Sequence, residues 1–344
     1  MNDPSARRVR FSGLGSLPGV DFPAAVAMTF DKVPDLPYLP ELPARGPWAG
    51  MVGRGLGLLV GLDVELLAGE WRLGVPGLDH RRSRATWRDD VDRLEELAQG
   101  YVGAFKVSVA GPWTLAAATG VAHTGRALAD PGARRDLAGS LAEGVGELLA
   151  DLHRRLPDLE LVLQVDEPAL PAVLGGGIPT PGGFFRLPAV EAWEVAAGLA
   201  ALTAEPARRG LDVSTLVHCC APGLPIDLMR GRGNEGAGFD GVSLDLEVVT
   251  TEQYEQVAQA VEVGAEVWLG CLPTHRSLSL TADEVRGRVL RFLDTLGVTE
   301  ALAGHLVLTP ACGLAGFTAA EVSHAFALLA TVSRQVSEEL DGNG

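Results

Sequence analysis

The chain has 344 residues, 47% of them hydrophobic, and its 44 acidic side chains outnumber 28 basic ones for a formal net charge of -16. Phosphate backbones and anionic lipids are held by clustered Lys and Arg, so this balance argues against nucleic acid and membrane surfaces as partners. Four cysteines are too few for a disulfide scaffold at this length. Apolar runs stop well short of a membrane span, and the start MNDPSARRVRFSG lacks the apolar core of a signal peptide, so a cytoplasmic location is expected.

Taken in order, eight short β-like runs alternate with Ala- and Leu-rich stretches of helical period. The runs are VRFSGLG (9–15), PYLPEL (37–42), FKVSVAG (105–111), ELVLQVD (160–166), VSTLVHCC (213–220), FDGVSLD (239–245), EVWLGC (266–271) and HLVLTP (305–310). Helical spacing is clearest in RRDLAGSLAEGVGELLADLHRRL and ADEVRGRVLRFLDTL. Strand–helix alternation of this kind predicts an α/β fold with a parallel sheet, and eight strands predict a closed (β/α)8 TIM barrel. Pro37 and Pro40 weaken the second strand by removing ladder donors. Residues 43–104 are long for one crossover and are expected to hold an extra helix or hairpin beside the barrel. No repeat or linker divides the chain, so residues 1–344 read as one domain.

Barrel enzymes gather their chemistry where strands end. Here those ends carry Ser16, Glu41, Asp166, His218, Cys220, Asp245, His275 and Cys312. Residues two apart in a strand share a face, so His218 and Cys220 point together into the barrel mouth while Cys219 turns toward the helices. His-x-Cys reads either as a pair of small buried residues or as half of a metal site. Cys312, between Ala311 and Gly313 after the last strand, faces the same mouth, and one imidazole with two thiolates suits Zn2+. An acid from GVSLDLE, Asp245 or Glu247, would close the set to four. Cys219 and Cys271 read as packing.

These segments resemble the catalytic barrel of the cobalamin-independent methionine synthase family, in its short single-barrel form. The likeness lies in LGSLPG, VAGPWTL, QVDEPAL, VHCC and PACGL, in order along most of the chain. It implies zinc held by His218, Cys220 and Cys312, with Asp245 where the family has glutamate. It further implies homocysteine as the thiol acceptor, with Gly15, Ser16, Glu41, Asp166 and Glu167 binding it, and His275 as proton donor. Three positions depart from the family pattern: Gly53 replaces an acid in AGMVGR, and Ala118 and Ala172 replace folate-binding Trp and Glu. Those losses imply a methyl-corrinoid protein, not polyglutamyl methyltetrahydrofolate, as donor. Two competing readings are a barrel whose zinc is only structural, and an enzyme of the uroporphyrinogen decarboxylase type. The latter needs cations for substrate carboxylates, and the N-terminal segment offers only Arg7, Arg8 and Arg10.

Overall fold

The computed structural model describes residues 8–74, 77–121, 125–231, 236–275, 279–297, 302 and 304–342. In chain order its strands are β1 (Arg10–Phe11), β2 (Val64–Leu67), β3 (Glu70–Leu73), β4 (Gly103–Ala110), β5 (Gly120–Val121), β6 (Gly125–Arg126), β7 (Leu159–Asp166), β8 (Ser214–Cys219), β9 (Gly241–Asp245), β10 (Glu266–Leu272) and β11 (Leu306–Pro310). Seven of them form one parallel sheet in the order β1-β11-β10-β9-β8-β7-β4. The sheet curls in the manner of a TIM barrel.

One expected strand does not form. Residues 37–42 make only two isolated parallel bridges, Tyr38 to Lys106 on β4 and Ser16 to Glu41 beyond β1. Leu39 N donates to Lys106 O at 2.9 Å and Lys106 N to Pro37 O at 3.0 Å, while Glu41 N donates to Gly15 O and Leu17 N to Glu41 O. Pro37 and Pro40 have no N–H to extend a ladder, which reduces the segment to these stitches between the two edges of the sheet. Between it and β4 come two 3-10 turns, a helix Met51–Gly57, the antiparallel hairpin β2–β3 and a long helix Leu78–Leu97. The hairpin continues into a small second sheet with β5 and β6.

Helices form where the 3.6-residue pattern lies. Pro131–Arg155 starts on Asp130, whose side chain accepts from Gly132 N and Ala133 N. Ala282–Leu296 opens with a Thr281–Glu284 capping box. No described helix is long and apolar enough to cross a membrane. A core running from Val9 to Val336 fills the space between sheet and helices.

Inside the curl the layering is different. Val162, Leu216, Trp268 and Val307, with Leu36, make a small separate apolar cluster. Two residues further along the same strands come Gln164, His218 and Thr309, with Ser243 on β9. An apolar plug therefore closes one end, and period-two alternation lifts polar side chains above it toward the strands' C-terminal ends.

Candidate active site

β8 brings His218 to the end of the sheet, with Cys220 just past its last residue. Cys312 sits in the turn after β11, anchored where Ala311 N donates to Leu272 O at 2.7 Å and Leu314 N to Ser16 O at 2.8 Å. One ligand atom from each of His218, Cys220 and Cys312 lies within 4.8 Å of the other two. Bonds of about 2.0–2.3 Å to a tetrahedral zinc set its ligand atoms roughly 4 Å or less apart, so these three residues fit the ion after small adjustments. His218 Nδ1 is 3.0 Å from Ser243 Oγ, which leaves Nε2 for a metal and fixes the ring plane. The neighbouring Cys220, followed by His218, draws the Cys312 thiol well below its usual range, while Cys312 and burial push Cys220 up.

Beside the three ligands opens a cavity of ≈ 200 Å³ whose wall includes Ser16, Glu41, Met51 and Asp166. Both carboxylates are almost fully buried. Burial drives Glu41 up to about 7, against the opposing charges of Arg54 and Lys106. Asp166 rises to about 6 by burial, held back by His218, by a 2.7 Å hydrogen bond from Gln164 Nε2, and by Lys106. Lys106 is itself fully buried: its Nζ donates to Ser108 Oγ at 3.0 Å and lies 5.0 Å above the Tyr38 ring, and desolvation lowers its pKa to about 7.

Of the residues expected at the site, Ser16, Glu41, Asp166, His218, Cys220 and Cys312 converge here, and Gly15 adjoins through its carbonyl bond to Glu41. Glu167 does not line the cavity. Its Oε1 accepts from Trp113 N at 2.9 Å, and its Oε2 accepts from Thr114 N at 2.8 Å and Thr114 Oγ1 at 2.7 Å. It clamps the N-terminus of the helix Pro112–Ala118, and a Cβ at Gly111 would stand 2.2 Å from its Oε1, which accounts for the glycine of VAGPWTL.

Asp245 also lies outside the three-residue group. Its side chain is a methylene shorter than glutamate and its Oδ1 accepts from Glu247 N at 2.9 Å, which turns it back on its own loop. Glu247 in turn pairs with Arg288 at 3.1 Å and His275 at 3.6 Å. His275 is 64% exposed in that pair and is not among the residues lining the cavity. Cys219 points away, donating to Ala221 O, and Cys271 is fully buried against Thr309 O. Sequence reading missed Ser243, although it stands two residues before Asp245 on the same strand face. It also passed over Lys106, a charged residue inside an otherwise apolar run.

A TIM-barrel-like sheet whose mouth gathers an imidazole, two thiols and buried carboxylates defines the class: a barrel enzyme with a thiol-rich donor set. Residues 88–335 match the cobalamin-independent synthase catalytic domain. The chain belongs to that family, and its activity is that of a methyltransferase. Among solved structures it is similar to a B12-independent methionine synthase from Shewanella sp. W3-18-1, solved with selenomethionine, at 17% identity and a TM-score of 0.65 over 97% of this chain and 99% of that one. That likeness concerns the fold. A methylaspartate ammonia lyase from Clostridium tetanomorphum (12% identity, TM-score 0.46, 98% of this chain and 60% of that one) and a 2,3-dimethylmalate lyase (12% identity, TM-score 0.42, 100% and 99%) are more distant. No curated protein matches the chain.

Proposed function

We propose that the protein is a zinc-dependent methyltransferase that converts homocysteine to methionine, with a methyl-corrinoid protein as donor. The observation that carries this reading is the convergence of His218, Cys220 and Cys312 on one wall of a cavity whose other wall holds Glu41 and Asp166. Bound by those three ligands, zinc would lower the pKa of an acceptor thiol from about 8.5 so that it is thiolate at neutral pH. Three protein ligands leave a coordination position for the acceptor, the arrangement of catalytic zinc sites.

The remaining work belongs to the chain. Glu41 and Asp166 orient the acceptor through its ammonium group, and the Gly15–Ser16 loop receives its carboxylate, so methyl transfer proceeds as if within one molecule. Gln164 fixes Asp166 in rotation by its hydrogen bond. Donor choice rests on three residues beyond the cavity wall. A folate amine must be protonated as it leaves, whereas reduced cobalt needs no proton. His275 is engaged with Glu247 at the surface, and the folate-binding Trp and Glu of the family pattern are Ala118 and Ala172 here. Both features support a cobalt donor.

Zinc-loaded protein with homocysteine is offered methylcobalamin or methyltetrahydrofolate triglutamate, and methionine is measured. Turnover with the cobalt donor and none with the folate is expected. Robust turnover with the folate would overturn the donor assignment, and no methionine from either would overturn the acceptor.

A further inference from the structure

Behind Glu41 lies a buried charge chain that the reading above does not use. Arg45 donates to both oxygens of Asp90 at 2.7 and 2.8 Å, and Arg54 Nη1 donates to Asp90 Oδ2 at 2.6 Å. Arg54 is 1% exposed, its guanidinium stacked 3.8 Å over the Trp87 ring, while Trp87 Nε1 donates to Arg54 O at 2.8 Å. Its remaining edge, Nε and Nη2, has no hydrogen-bond partner. That edge is a two-donor fork suited to a carboxylate, and Glu41 Oε1 stands 3.9 Å from Nε. Leaving both donors idle in a buried site is costly, and Glu41 is the acid beside them.

The residue before Arg54 shows that this corner is rebuilt. Where the family pattern carries an acid, the chain has Gly53, and a Cβ there would lie 2.1 Å from Pro47 O. No side chain fits. This corner thus lacks that acid and carries a buried cation one residue later.

We infer that Arg54 is a specificity-determining positioning residue: from behind the cavity wall its unpartnered fork aims the Glu41 carboxylate at the cavity, so that the site selects an acceptor bearing an ammonium group. This rests on the acceptor reading above. Burial favours the neutral form of Glu41, and Arg54 is the largest influence opposing it, ahead of Lys106, while Asp166 and Asp90 push the other way. Without Arg54 the balance at Glu41, already near 7, tips further toward the neutral carboxyl, which attracts an ammonium group less. Arg54 does not itself line the cavity, so its effect is confined to what Glu41 recognises.

The test uses calorimetric titration of zinc-loaded protein with homocysteine and with 4-mercaptobutanoate, which keeps the thiol and carboxylate but lacks the amine. Arg54→Met is expected to weaken homocysteine binding about tenfold or more and to leave 4-mercaptobutanoate within about twofold. Arg54→Lys restores most of the loss, and adding Arg54→Met to Glu41→Gln costs nothing further. Arg54→Gln takes its place if the methionine variant does not fold. Equal losses for both ligands, or no loss for either, would overturn the inference while leaving the acceptor reading intact. Wild-type protein that binds the two ligands equally would overturn the ammonium reading itself, and this inference with it.

Discussion

Replacing Glu167 with alanine separates two roles that its position beside Asp166 invites. In the structure the carboxylate is fully buried and satisfies two backbone N–H groups and one hydroxyl of the Trp113–Thr114 turn. Alanine orphans both N–H groups at about 1–3 kcal/mol each, a combined cost of about 4 kcal/mol. For 344 residues, an unfolding entropy near 2.1 cal/mol/K per residue turns this into a fall in Tm of about 5–6 °C. Glu167 N also donates to His218 O, and Gly111 N to Asp166 O, so the ends of β4, β7 and β8 loosen together. Differential scanning calorimetry of the metal-free protein gives the Tm, and homocysteine titration at a temperature well below it gives the binding. An unchanged Tm with strongly weakened homocysteine binding would refute the clamp and return Glu167 to the substrate.

Cys220→Ala and Cys312→Ala should each abolish stoichiometric zinc, whereas Cys219→Ala should keep it; atomic absorption after dialysis decides, and full zinc in the Cys312 variant would dismantle the site. Ser243→Ala removes the partner of His218 Nδ1 and should weaken zinc about 10- to 100-fold in chelator competition while keeping one ion per chain at saturation. Stability should depend on pH in a defined sense. Glu41 and Glu167, both raised to about 7 from 4.5, are protonated in the fold where the unfolded chain has ionised, so the stability they contribute is present below about pH 4.5 and is lost as pH rises toward 7. Lys106, lowered to about 7 from 10.5, acts the other way, adding stability as pH climbs from 7 toward 10.5. Glu167→Gln should flatten the acid-side slope of Tm against pH, and an unaltered slope would place the coupling elsewhere.

Much of the strand framework was legible because a parallel strand buried on both sides is a continuous apolar run bounded by turns. Seven of the eight expected strands appear within a few residues of their expected limits; β1 keeps only Arg10 and Phe11 of its run. The eighth, at 37–42, fails through its prolines, a local chemistry already visible in the sequence. The convergence of His218, Cys220 and Cys312 was readable because strand alternation fixes direction and a strand end fixes depth. Where the Asp245 and Glu167 carboxylates turn was not, since alternation cannot show which backbone N–H a carboxylate meets. Arg54 and Lys106 belong to the same blind spot: Arg54 is buried against Asp90, 36 residues away in sequence, and Lys106 against the ring of Tyr38.

The central claim is that the three ligands hold zinc so as to receive a thiol. X-ray absorption at the zinc edge, before and after homocysteine is added, tests it most directly. Two sulfurs are expected around zinc in the resting protein and a third once homocysteine is bound. A shell that does not change on adding homocysteine, or protein that takes up no zinc, would contradict it.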